Sequence, residues 1–79
     1  MDRVSILAKL IEVCNEIFDE NEKEITENTS LNEDLGCDSL KKLIFINELE
    51  SKFNISFMLE DSMKMNTISD VCDIIEKYL

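Results

Sequence analysis

A chain of 79 residues has room for one domain, residues 1–79, with a modest core and little space for an enclosed catalytic site beside it. Its 18 acidic side chains against 8 basic ones give a net charge of −10, which argues against nucleic acid or an anionic membrane and suits partners with basic patches. The lack of His removes the usual general base, and the absence of Pro with a single Gly favours helices over sheet turns.

The first element, residues 2–19, sets Leu7, Leu10, Ile11, Cys14, Ile17 and Phe18 at spacings of three and four, one apolar stripe on a helix. Lys9 and Glu12 interrupt the apolar run, so it does not read as a signal peptide. Residues 19–37 form a long acidic connection pinned to the core by Ile25, Leu31 and Leu35. Within it Ser30-Leu31-Asn32-Glu33 has capping-box spacing for a single helical turn, and Gly36 marks a tight turn or helix stop. The second strong helix spans 39–53, with Phe45, Ile46, Leu49 and Phe53 on its buried face. Leu40, Ile44 and Asn47 share another face, which the same core does not explain. Residues 54–66 read as irregular, with a short helix near 59–64 carrying Leu59 and Met63. The last helix begins at Thr67, with Asp70 as its capping-box partner and Ile68, Val71, Cys72, Ile75 and Tyr78 as its stripe. The expectation is an all-α, four-helix bundle: three main helices, a short third one, and a long first loop. The longest apolar stretch, Leu43 to Ile46, is far too short to span a membrane.

Catalytic and metal readings fail early. Cys14, Cys37 and Cys72 are odd in number and form no C-x-x-C, so neither a zinc site nor a disulfide framework is indicated. Core thiols in a reducing cytoplasm fit Cys14 and Cys72. Glu33, Asp34 and Asp38 do not match a calcium-loop spacing and read as a solvated acidic loop, so no metal site is assigned. Ser39 lacks the G-x-S-x-G context and any His, which leaves no triad. What remains is Asp34-Leu35-Gly36-Cys37-Asp38-Ser39-Leu40, a serine at a helix start just after a glycine turn. By itself, that pattern fits Asp38 or Ser39 as a plain N-cap equally well.

Asp-Leu-Gly-x-Asp-Ser-Leu resembles the modification motif of the acyl carrier protein family. The resemblance covers nearly the whole chain. Thr29-Ser30-Leu31 with Glu33-Asp34-Leu35-Gly36 looks like the loop leading into the motif, and Glu48-Leu49-Glu50-Ser51-Lys52-Phe53 like the end of the second helix. Asn66-Thr67-Ile68-Ser69-Asp70-Val71 and Ile74-Ile75 look like the last helix. The resemblance implies that Ser39 receives 4′-phosphopantetheine from coenzyme A through a phosphopantetheinyl transferase, and that the arm holds a group as a thioester for loading and biosynthetic enzymes. It implies a non-enzymatic, cytoplasmic, monomeric carrier. Asp38 is then a capping residue or a contact for the transferase and its metal. Leu40 is an apolar partner contact, Ile44 lies on the partner-facing surface, and Glu48, Glu60 and Asp61 are acidic contacts for basic partners. The helix N-terminus beside Ser39 favours a phosphodiester anion, while Asp38 opposes it locally.

The chain departs from the family pattern at Lys41, Lys42 and Ile44, where fatty-acid carriers usually present acids, and at Asn47, where an apolar contact is usual. Met58 replaces a frequent proline, and Cys37 a small or apolar residue. These changes point to a specialised carrier with an altered partner set, for a fatty-acid-like or secondary-metabolite (polyketide) cargo. Two alternatives stay open: an aminoacyl or peptidyl carrier, and an unmodified helical interaction module. Cys37 either pairs with the arm's thiol or does nothing.

Overall fold

Among the described residues four helices carry the fold: α1 (Arg3–Ile17), α2 (Ser39–Phe53), α3 (Leu59–Met63) and α4 (Ile68–Tyr78). The computed structural model describes residues 1–18 and 24–79, so the start of the acidic connection, 19–23, lies outside the described residues. Among the described residues there is no strand, only an isolated antiparallel bridge between Ser30 and Thr67. The expected all-α architecture of three longer helices and a short third is the one observed.

Asp2 starts α1 by accepting the Ser5 N–H at 2.9 Å. The buried stripe of α1 is Ile6, Leu10, Val13 and Cys14, with Phe18 following the helix, while Leu7 and Ile17 are only partly covered. Leu10, Cys14 and Phe18 of the expected stripe are buried, whereas Ile11 is only half-buried and Ile6 and Val13 join the core unpredicted. Apolar residues occupy most faces of α1, and its packing against both α2 and α4 decides which are sealed. The helix also stops at Ile17 rather than near 19. Phe18 turns into extended backbone, and its ring meets Phe45 of α2 at 5.7 Å.

In α2, Phe45, Leu49 and Phe53 are buried as expected, whereas Ile46 is half-exposed. Asn54 ends the helix in the left-handed region at φ 55°, a conformation that Asn tolerates better than most residues. Thr67 and Asp70 form the reciprocal capping box of α4 that their spacing predicts.

The acidic connection is tied to the entrance of α4. Leu31 N–H donates to Asn66 C=O at 2.9 Å; Ile68 and Ser69 N–H donate to Thr29 and Glu27 C=O at 3.0 and 2.9 Å. The last two are N-terminal donors that a helix cannot satisfy internally, so loop and helix complete each other. Leu31 and Leu35 are buried and Ile25 partly so, so the described part of the connection, 24–37, is pinned as the sequence suggests. The turn at Ser30 forms too, but its return partner is Asp34, whose carboxylate accepts Ser30 N–H at 2.7 Å, not Glu33.

Candidate functional site

The end of the connection delivers the chain to the start of α2. Leu35 and Cys37 are buried, and Cys37 N–H donates to Leu31 C=O at 2.9 Å. Between them Gly36 turns the backbone at φ +62°. A Cβ there would meet nothing within 4 Å, so glycine is needed for conformation and not for space. Asp38 is the N-cap: its carboxylate accepts Lys41 N–H at 2.8 Å. Ser39 is the first helical residue and is exposed. Of the two capping alternatives, the structure assigns the cap to Asp38 and relieves the Ser39 hydroxyl of that duty.

From Ser39, steps of three, four and seven along α2 reach Lys42, Leu43 and Ile46. With Ser62 of α3 these residues line a groove of about 180 Å³. The sequence reading did not group these residues; their spacing from Ser39 is the signal that could have found the α2 members, whereas the contribution of Ser62 depends on how α3 packs and had no sequence signal. Leu40 is 69% exposed beside the groove, and Ile44, Leu59 and Met63 are exposed as well. Leu59 and Met63 therefore do not anchor α3 to the core.

The acidic contacts divide. Glu60 is exposed and Glu48 half-buried, so both reach the surface. Asp61 does not: it is 2% exposed and so is corrected from a surface contact to an internal one. Its carboxylate accepts from Tyr78 O–H, from Met58 N–H at 3.0 Å and from Lys77 Nζ at 3.3 Å. The Tyr78 hydrogen bond holds the Asp61 carboxyl below its usual range, and the same bond raises Tyr78 above its own. Sequence reasoning counted Tyr78 as part of an apolar stripe and so missed that its hydroxyl claims Asp61.

Charge around Ser39 differs from the chain's overall sign. Lys41 and Lys42 follow it directly. Among the described residues, Arg3, Lys52 and Lys77 form ion pairs, whereas Lys41 and Lys42 form none. Burial pushes the Cys37 thiol up, and the Lys42 and Lys41 charges only partly oppose this. Burial likewise pushes Cys14 to about 12 and Cys72 to about 11. All three are free thiols in buried positions, and a raised thiol pKa keeps them in the less nucleophilic protonated form. Asp34 and Asp38 spend their carboxylates on Ser30 and Lys41 N–H. No group of three potential ligands among the described residues is placed to hold a metal ion.

Residues 8–75 match the family model described as a phosphopantetheine attachment site. The chain is 37% identical over 79 residues to the acyl carrier protein of an Exiguobacterium species, covering all of both chains. It is 33% identical over 78 residues to that of Rubrobacter xylanophilus, covering 99% of this chain and 96% of the relative. The acyl carrier protein of Enterococcus faecalis, a solved structure noted for high thermal stability, superposes with a TM-score of 0.80 at 28% identity over all of both chains.

Proposed function

The chain belongs to the acyl carrier protein family, whose members hold acyl groups on a covalent 4′-phosphopantetheine arm, and from that premise we propose that Ser39 is where this arm is attached. One observation carries the assignment: Ser39 is an exposed hydroxyl at the first position of α2, with Asp38 as the cap and an open groove alongside. The group fits here. A serine ester at this position projects from the protein, and nothing in the core must move to admit it.

In the attachment step the Ser39 Oγ–phosphorus bond forms as the phosphoanhydride of coenzyme A breaks, adenosine 3′,5′-bisphosphate leaves, and the serine proton passes to a base of the transferase. The chain has no His to serve as that base. Once attached, the arm supplies a terminal thiol for a thioester. The chain's own residues then present and recognise: Ser39 bears the ester, Asp38 holds the turn, and Leu40 and Ile44 offer an exposed apolar contact. The chain itself catalyses nothing in this reading; its partners, among them a phosphopantetheinyl transferase and loading and biosynthetic enzymes, do the chemistry.

The specific partner set is read as specialised, for fatty-acid-like or polyketide cargo. Lys41 and Lys42 beside the attachment residue, together with exposed Ile44, support this, because they remove acids from the surface that basic partners would meet. Three buried free thiols support a reducing, cytoplasmic setting.

Incubation with coenzyme A and a broad-specificity phosphopantetheinyl transferase tests the attachment. The mass of the wild-type chain rises by one arm, and that of Ser39→Ala does not. Because Asp38 keeps the cap, the variant remains folded; a mass gain in Ser39→Ala overturns the assignment.

A further inference from the structure

The arm begins with a phosphodiester on the Ser39 oxygen, which places a permanent negative charge at the start of α2. The helix N-terminus favours that charge, but part of its first turn is already spent. The Lys41 N–H, one of the free donors of the first turn, is already taken by the Asp38 carboxylate at 2.8 Å, and this carboxylate is itself a like charge next to Ser39. Lys42 N–H is committed to Asp38 C=O at 2.8 Å. A side-chain cation on the same helix face can offset both anions.

We propose that Lys42 is this cation: its ammonium group binds the phosphodiester on Ser39 and fixes the base of the arm in the groove between α2 and α3. The inference rests on Ser39 as the attachment residue. Three observations carry it. Lys42 lies three residues after Ser39, so their Cβ atoms are about 5–6 Å apart on one helix face, within reach of a lysine stem. Lys42 and Ser39 line the same groove, with Leu43 and Ile46 to cover the stem. Lys42 also belongs to no ion pair among the described residues, in a chain whose 18 acids outnumber its 8 bases and tie up Arg3, Lys52 and Lys77. Lys41, two residues from Ser39, is on a different side of the helix and does not line the groove.

Phosphorus NMR of the arm-bearing protein tests this without reference to any partner enzyme. The phosphodiester resonance of the wild type shifts on Lys42→Gln and stays in place on Lys41→Gln, and Lys42→Arg retains most of the wild-type position. Raising the ionic strength from about 10 mM to about 1 M, which cuts the Debye length from roughly 30 Å to roughly 3 Å, moves the wild-type resonance toward that of Lys42→Gln. A resonance unmoved by Lys42→Gln, or moved equally by both Gln variants, overturns the proposal. Failure here is distinct from failure of the attachment reading, in which the wild type gains no arm or Ser39→Ala gains one.

Discussion

Asp38 and Ser39 are neighbours with separate work. The Asp38 carboxylate closes the first turn of α2 through Lys41 N–H, which leaves the serine hydroxyl free for the proposed ester. Asn caps a helix about as well as Asp, whereas Ala does not. Asp38→Ala is therefore expected to lose about 1 kcal/mol in urea unfolding, and Asp38→Asn only a few tenths. Any drop in transferase rate that Asp38→Asn shares with Asp38→Ala then belongs to recognition of the charge and not to folding. Equal stability losses in the two variants would contradict the capping role.

At the scale of elements, α3 is the least anchored piece. It has five residues, and Leu59 and Met63 face solvent. Its tie to the molecule is the Asp61 carboxylate, held by Tyr78 and Lys77 of α4, with the Tyr78 ring edge-on to Phe57 at 5.6 Å. The folded-state pKa of Asp61 is lowered, so its contribution is present above the unfolded value near about 3.9 and is lost as pH falls through the folded one. Tyr78 is raised, so its contribution is present below about 10 and is lost as pH rises through its folded value. Tyr78→Phe should lower the melting temperature between these limits, and the gap to wild type should narrow at either extreme. A gap independent of pH would mean that the hydroxyl matters only through packing.

These elements also mark what the sequence could and could not tell. The Thr67–Asp70 box and the span of α2 were legible because each is set by residues within a few positions. The edges of the α1 stripe were only partly legible: Leu10, Cys14 and Phe18 are buried as expected, but Ile6, Leu7, Ile11 and Val13 leave several faces apolar, and only contact with two other helices decides which are sealed. Asp61 was misplaced for a similar reason. An acid in a short polar helix looks solvent-facing until a tyrosine 17 residues later donates to it. The attachment motif was legible because seven contiguous residues carry it, while Ser62, on a helix that meets the groove only in three dimensions, was not.

Over the whole molecule, charge is unevenly spent. Arg3, the only arginine, bonds to Glu27 at 2.5 Å, to Asp73 at 2.6 Å and to Glu76, tying the start of α1 to the acidic connection and to α4. Arg3→Gln leaves those three acids unpaired in a chain of net charge −10. Its melting temperature should fall at low salt, and the loss should shrink between about 0.1 M and about 1 M salt as the Debye length drops from roughly 10 Å to roughly 3 Å. A loss unchanged by salt would assign the effect to the packed stem of the arginine instead.

The position of the arm is the most direct test of Ser39. After modification in vitro, fragmentation of the tryptic peptide spanning residues 24–41, which also contains Thr26, Thr29 and Ser30, locates the added group directly. The structure predicts that all of it is on Ser39; an arm on any of the other three hydroxyls, or none on this peptide, would contradict the central claim.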